Sequence, residues 1–244
     1  MKHRFSPLLP RDPLAGPVLV LAAHPDDEVI GAGAMLAWHA RRGHAVTVVH
    51  ATDGARGDPA ARENDIRAVR RREGTEALSR LGLPAPRHWD LPDGELPEHQ
   101  TDLTDRVGAV FAEVRPRTLY SFWFGEAHRD HRAVAVAAAA AAAGLPADCR
   151  CLLFGVNHVV PGGTLFDTTD TYAAKYRALQ AYASQNVYVD LPGMSEHRDR
   201  SATVNRDIAG VLYGEMFADL LPHELPEALR MAEGLQRLLL REPS

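Results

Sequence analysis

Two short clusters in this sequence hold residues that can do acid–base and metal chemistry. The first, Ala23-His24-Pro25-Asp26-Asp27-Glu28, sets an imidazole beside consecutive carboxylates. Pro25 fixes its own φ and biases His24 toward an extended conformation. The turn it begins can then bring His24 and Asp27, three apart, toward a common point while Asp26 projects separately. A zinc ion accepts imidazole nitrogen and carboxylate oxygen, and a catalytic site needs only three protein ligands with one position left open. Alone, the cluster reads equally well as a helix start, with Asp26 or Asp27 as the cap and His24 a satisfied strand-end residue. The second cluster, Glu126-Ala127-His128-Arg129-Asp130-His131, repeats the pattern. His128 and His131 face the same side at a helix start, so one can complete a His–Asp–His triad while the other is free for proton or charge work. Asp130 as a plain cap is the competing reading. Two such clusters in one chain are much harder to attribute to capping than one.

Composition limits what a metal site could be made of. The 244 residues include 12 histidines and 2 cysteines. Cys149 and Cys151 lie two apart on a predicted strand, too far apart for an easy disulfide, and read as reduced thiols. Any metal site must therefore be built from imidazole and carboxylate. The net charge of −5 is spread among interspersed acids and bases, which leaves no basic stripe for nucleic acid. Pro17 to Ala23 is too short to span a bilayer, and Met1 to Pro13 is polar and Pro-broken rather than signal-like. The expectation is a soluble cytoplasmic chain without stable membrane insertion.

The elements that must position the clusters follow from periodicity. Val18 to Ala23 is a continuous apolar run, as a parallel strand covered on both faces requires. Helical spacing follows over Glu28–Arg41, closed by Gly43, and a second apolar run covers Ala45–Ala51. Strand, helix, strand is the βαβ signature. The alternation continues with a helix over Arg62–Leu81, a strand over Arg87–Leu91, a helix over Asp102–Val114, a strand over Thr118–Trp123 and an Ala-rich helix over Arg132–Ala143. A strand over Arg150–His158 comes next, then helical segments over Tyr172–Ser184, Arg206–Asp219 and Pro226–Leu240. No repeat or linker divides the chain, so the expectation for 1–244 is one Rossmann-like α/β domain with a mostly parallel sheet and helices on both faces. Both clusters fall at the carboxyl end of a strand and the entrance to a helix, where open α/β sheets bind ligands. The Thr52–Asn64 loop is a candidate wall or lid.

With these motifs in place, the sequence resembles the PIG-L/LmbE-like zinc-dependent de-N-acetylases, a family that includes the N-acetylglucosaminyl-phosphatidylinositol, mycothiol and bacillithiol deacetylases. The resemblance rests on AHPDDE at 23–28, TDG at 52–54 and HRDH at 128–131. Softer echoes run over 71–82, 91–94, Lys175 with Ser184-Gln185, and 215–217. It implies His24, Asp27 and His131 as zinc ligands, Asp26 as general base, His128 as the residue that stabilises the oxyanion, and Asp130 as the carboxylate partner of His128. Arg129 stands where the family has proline, which bears on the rigidity of the loop and on the charge near the substrate. These residue types suit amide hydrolysis. Zinc lowers the pKa of a bound water toward about 7 and polarises the acyl carbonyl. Asp26 can take the water's proton, and His128, kept as imidazolium by Asp130, can face the developing oxygen charge. The donors would serve Fe2+ equally.

Arg56 and Asp93, on loops after neighbouring strands, are the candidate substrate-binding residues, and a carboxylate suits vicinal sugar hydroxyls. Their competing readings are a solvated charge and an ordinary turn aspartate. Asn157 and His158 end a late strand, where bordering the pocket and a core or edge role are equally compatible with the sequence. Glu73 and Glu215 read as partners of arginines in helix packing, and the remaining histidines as surface or core residues. The leading expectation is a metal-dependent hydrolase that removes an N-acetyl group from a small-molecule amino sugar or glycoconjugate. One alternative keeps the site but acts on a thiol conjugate or another acylated amine. The other is a nucleotide-binding module, suggested by Gly31-Ala-Gly33 but lacking the third glycine of the fingerprint, with Leu36 in its place. A homo-oligomer is compatible with the sequence.

Overall fold

The computed structural model describes residues 7–12, 14–204 and 209–239. Of the Met1–Pro13 stretch, residues 1–6 and 13 lie outside the described residues; Leu8–Leu9 forms a short strand, β1. The chain continues through β2 (Val18–Ala22), α1 (Asp27–Arg41), β3 (Val46–Thr52), α2 (Ile66–Leu81), β4 (Arg87–Leu91), α3 (Gln100–Val114), β5 (Thr118–Phe122), α4 (Arg129–Ala140) and β6 (Arg150–Phe154). Then follow β7 (Thr164–Asp167), α5 (Tyr172–Leu179), α6 (Ala183–Asn186), α7 (Leu191–Ser201), β8 (Gly214–Leu220) and α8 (Leu225–Leu239). All residues of β2 and β5 are buried, as central strands covered on both faces must be.

The strands form one sheet in the order β1-β7-β8-β6-β5-β2-β3-β4. Every pairing is parallel except those of β8, which runs antiparallel between β6 and β7. The chain steps outward from β2 to β3 and β4, then returns to the other side of β2 as β5 and β6. With right-handed crossovers, reversing direction puts α1 and α2 on one face and α3 and α4 on the other. It also opens a crevice beyond the carboxyl ends of β2 and β5, the switch point where such sheets bind ligands. The first histidine–carboxylate cluster follows β2 and the second follows β5, so the topology sets them side by side.

The sheet differs from the sequence expectation mainly at its distal end. The expected helix over Arg206–Asp219 is instead turn and coil over 209–213 followed by β8 from Gly214, and residues 205–208 lie outside the described residues. Phe217 is fully buried between β6 and β7, so tertiary pairing overrides the helical spacing. The expected strand over Arg150–His158 stops at Phe154, because Gly155 turns the chain: a Cβ there would lie 1.7 Å from the His158 carbonyl oxygen. The helix expected over Tyr172–Ser184 divides into α5 and α6. The Ala-rich helix starts earlier, at Arg129, and Leu240 lies outside the described residues. Among the described residues, Glu73 and Glu215 do not pair with arginines. Glu73 accepts from the N–H and hydroxyl of Ser184. Glu215 accepts from buried Lys175 at 2.7 Å and from the Ala34 and Met35 amides.

Cys149 and Cys151 are free and buried. The hydrogen bond between Cys151 and Cys149, together with burial, pushes the Cys151 thiol up, far from the thiolate form that reacts. Gly31 and Gly33 lie within α1 rather than on a phosphate-binding turn. A Cβ at Gly31 would sit 2.2 Å from the Phe154 ring, and one at Gly33 would sit 3.0 Å from the Lys175 stem. The glycines thus let α1 lie close on the sheet and on α5, which removes the ground for the nucleotide-binding reading. Alanine favours a helix over glycine, yet Gly31→Ala should destabilise the protein by about 1–3 kcal/mol through overpacking. Denaturant unfolding checks this, and a neutral or stabilising change would contradict the packing argument.

Candidate metal and catalytic site

The Ala23 carbonyl, just past β2, accepts from the Thr52 N–H at 2.9 Å and from its hydroxyl at 2.8 Å, which fixes the ends of β2 and β3 together. The chain then turns through His24-Pro25-Asp26. Asp26 holds a φ of 135°, a region that costs a non-glycine residue energy and persists only where its surroundings enforce it. The enforcement is visible. The Asp26 carbonyl accepts from the Val29 and Ile30 N–H groups in the first turn of α1. Arg70 of α2 donates to Asp26 Oδ2 at 3.1 Å and to the Pro25 carbonyl at 3.0 Å. The Asp26 side chain makes no cap bond, and Asp27 Oδ2 accepts from the His24 N–H at 2.8 Å. At α4 the capping side chain is His128, whose Nδ1 accepts from the Asp130 N–H at 3.2 Å. None of the three aspartates caps its own helix, so the capping explanation fails for both clusters.

The turn brings three donors together. His24 Nδ1 lies 3.3 Å from Asp27 Oδ2, His131 Nε2 lies 3.2 Å from Asp27 Oδ1, and the two nitrogens are 3.4 Å apart. Donors bound to a tetrahedral zinc at 2.0–2.1 Å stand about 3.3–3.4 Å from each other. The two imidazole nitrogens are at that spacing, and each faces a different oxygen of Asp27, so the three side chains gather around one small space. Among the described residues, two donor sets bring one ligand atom from each of three residues within 4.8 Å of one another, and both include His24: one with His128 and His131, the other with Asp93 and Asp130.

Both imidazoles turn their second nitrogen to a carboxylate, as metal-bound histidines commonly do. His24 Nε2 lies 3.1 Å from Asp93 Oδ1 and 3.2 Å from Asp130 Oδ2. His131 Nδ1 lies 2.8 Å from Glu126 Oε2. Burial pulls His131 down, but the Asp27 charge and the hydrogen bonds to Asp27 and Glu126 outweigh it and raise the ring to about 9. His24 is likewise raised against burial by Asp130, Asp27 and Asp93. The triangle is thus built to hold positive charge.

Glu126 has no role in the sequence reading. It is fully buried and accepts from the successive N–H groups of Val156, Asn157 and His158 at 3.0–3.2 Å. The turn enforced by Gly155 is what aims those amides at it. Arg70 was missed as well. The buried positions of α2 are Arg70, Gly74, Ala77, Leu78 and Leu81, so extending the apolar stripe one turn toward the N-terminus would have found an arginine facing inward.

Two expectations are corrected. Asp130 is not the carboxylate partner of His128: its oxygens accept from the Gly94 N–H at 2.6 Å, the Leu96 N–H at 3.1 Å and the His24 ring. His128 accordingly lacks the carboxylate hydrogen bond expected to hold it as imidazolium. Burial and then the charges of His24 and His131 lower it, and with Nδ1 accepting a hydrogen bond its proton sits on Nε2. Burial pushes Asp26 up to about 7 against the opposing pull of Arg70.

Arg56, Asp93, His128 and Asn157 line the same cavity as the triangle, whose volume is about 410 Å³. Asp93 is more than a turn residue, because Oδ1 faces His24 and Oδ2 accepts from the Arg56 N–H at 2.8 Å. The Arg56 guanidinium pairs with Glu95 at 2.8 Å on the exposed rim.

A model of the PIG-L family, described as GlcNAc-PI de-N-acetylase, matches residues 19–142. A 1D-myo-inositol 2-acetamido-2-deoxy-alpha-D-glucopyranoside deacetylase from Nocardioides sp. is 33% identical over 149 residues, 47% of this chain and 49% of that protein. The chain thus spans about half the length of that relative. A probable N-acetyl-alpha-D-glucosaminyl L-malate deacetylase 2 from Bacillus anthracis is 30% identical over 69% of this chain and 80% of its own. The N,N'-diacetylchitobiose deacetylase from Pyrococcus horikoshii superposes with a TM-score of 0.73 at 22% identity, over 85% of this chain and 84% of that one. At that identity the likeness is one of fold.

Arg129 points away from the triangle and pairs with Glu98 at the surface, so it adds no cation to the cavity. It is the first residue of α4, where proline is favoured. His128 before it is already extended at φ −69°, ψ 130°, as a residue preceding proline must be. Arg129→Pro should therefore fold with an unfolding midpoint at or above that of the parent, because proline restricts the unfolded chain. A clear drop in the midpoint would show that the loop needs the arginine.

Proposed function

We propose that this chain, which belongs to the PIG-L family of GlcNAc-PI de-N-acetylases, is a metal-dependent hydrolase that removes an N-acetyl group from a small-molecule amino sugar or its conjugate. The observation that carries the reading is the triangle of His24, Asp27 and His131, with Asp26 and His128 beside it in one cavity. The relatives named above, deacetylases of N-acetylglucosamine conjugates, support the substrate class.

His24, Asp27 and His131 would hold the ion, with zinc the first candidate and Fe2+ served by the same donors. Bound there, a divalent cation supplies Lewis-acid polarisation of an acyl carbonyl and acidifies a water. The protein's own groups do the rest. Asp26 stands outside the triangle with Arg70 as its cationic partner. It takes the proton of the attacking water and passes it to the leaving amine. His128, carrying its proton on Nε2, donates a hydrogen bond to the carbonyl oxygen as negative charge develops there, the role of an oxyanion donor. Asp130 and Asp93 orient His24, and Glu126 orients His131, so that each ring presents one nitrogen to the ion. Asp93 and Arg56 border the space left for sugar hydroxyls. Among the described residues, no helix is long and apolar enough to cross a membrane.

Two outcomes test this reading. The purified metal-loaded protein should release acetate and free amine from an N-acetylated amino sugar, and Asp26→Asn should bind metal normally while losing about 10²–10⁴-fold in turnover. Full activity in that variant would remove Asp26 from proton transfer. Glu126→Ala frees the His131 ring and should weaken metal affinity by about 10–100-fold, measured by competition with a chelating dye. Unchanged affinity would leave Glu126 a purely structural anchor of the turn after β6.

A further inference from the structure

The cavity that holds the triangle is lined by two unlike kinds of residue. Arg56, Asp93 and His128 are polar, whereas Tyr188, Val189, Leu191 and Met194, close together in sequence, are largely apolar, as are Ile30 and Val156. Leu191 is buried, but Tyr188, Val189 and Met194 are 37%, 47% and 42% exposed. Large apolar side chains left open together at the mouth of a polar site mark a surface that something covers. The wall is also fixed in place. The Tyr188 hydroxyl donates to Asp58 Oδ1 at 2.5 Å and accepts from the Ala60 N–H, and the Arg62 guanidinium sits 5.4 Å from the ring centroid. Gln185 Nε2 donates to the Gly57 carbonyl at 3.0 Å. These contacts use the one polar group of Tyr188 inside the protein, so the wall offers a ligand a ring edge, branched aliphatic carbon and a thioether.

We infer that the amino sugar this enzyme takes carries an apolar aglycone, an alkyl or aryl group, which lies on Tyr188, Val189 and Met194 while the acylated sugar sits against Asp93 and the triangle. The inference rests on the deacetylase reading and sharpens its substrate class. A polyol or a dicarboxylate on this wall would lose its hydrogen bonds to water without replacement by these side chains, which disfavours it. An alkyl or aryl group gains by the burial, up to about fourfold in affinity for each methylene fully removed from water. The volume of about 410 Å³ falls within the range of about 300–1,000 Å³ found for pockets that enclose drug-sized ligands.

The test pairs turnover with a binding measurement that needs no chemistry. Methyl, butyl and hexyl glycosides of N-acetylglucosamine, with the inositol glycoside for comparison, are assayed by released amine. Hexyl glucoside, which has no amide to cleave, is titrated calorimetrically below its micelle concentration. The expected result is a kcat/KM at least tenfold higher for hexyl than for methyl, with the inositol glycoside below hexyl. The hexyl-to-methyl ratio should collapse toward one in Val189→Ser/Met194→Ser, whose exposed positions tolerate the change. Hexyl glucoside should bind the parent at least tenfold more tightly than that double variant. A flat alkyl series, an unchanged ratio in the variant, or preference for inositol would overturn the inference. So would loss of a homo-oligomer in the variant, which would show that a second copy covers the wall. If no glycoside is deacetylated, the hydrolase reading fails, and the calorimetry alone still decides whether the wall takes an apolar group.

Discussion

A crevice that buries carboxylates must also hold the charge that neutralises them. Asp27, Asp93, Glu126 and Asp130 are all 7% exposed or less, around two imidazoles that are equally enclosed. Buried acids without partners would be costly. The surrounding carboxylates favour the charged form of His24 and of His131 against burial. A divalent cation in the triangle would bring positive charge to the same place. The same electrostatics that keeps the crevice folded thus prepares it for metal, and binding is expected to release protons. The surrounding architecture serves that balance: the switch point between β2 and β5 brings the two clusters together, and Gly155 and the turn at Gly94 supply amides to the outer carboxylates.

The division of labour around His24 follows from the two nitrogens of one ring. Nδ1 belongs to the triangle, and Nε2 belongs to Asp93 and Asp130. Since Asp130 lies at the start of α4 and Asp93 in the turn after β4, the orientation of one imidazole depends on three segments distant in sequence. Asp26 obtains its separate position in a different way. Its backbone is held in a costly conformation by the first turn of α1 and by Arg70, which keeps its carboxylate out of the triangle while leaving it in the same cavity.

Much of this was legible in the amino-acid order, for identifiable reasons. The parallel half of the sheet could be read because strands covered on both faces must be continuously apolar, and Val18–Ala22 and Thr118–Phe122 largely are. Ligand candidates could be read because each cluster is local, with its donors three or four residues apart. What failed was non-local. Asp130 was paired with its neighbour His128, whereas its carboxylate reaches His24, 106 residues away. β8 reads as a helix because its pairing with β6 and β7 cannot be seen in its own periodicity. Arg70 and Glu126 do not stand out in the sequence, because a buried charge is recognisable only once its partners are known.

On the proposed reading, the apolar wall of the cavity would choose the molecule and the charged triangle would act on it. The central claim concerns the second. Diffraction from crystals of the zinc-soaked protein, recorded above and below the zinc absorption edge, tests it most directly. The account predicts one anomalous peak about 2.0–2.2 Å from His24 Nδ1, an Asp27 oxygen and His131 Nε2. A peak among His24 Nε2, Asp93 and Asp130 instead, or no ordered peak in the crevice, would contradict it.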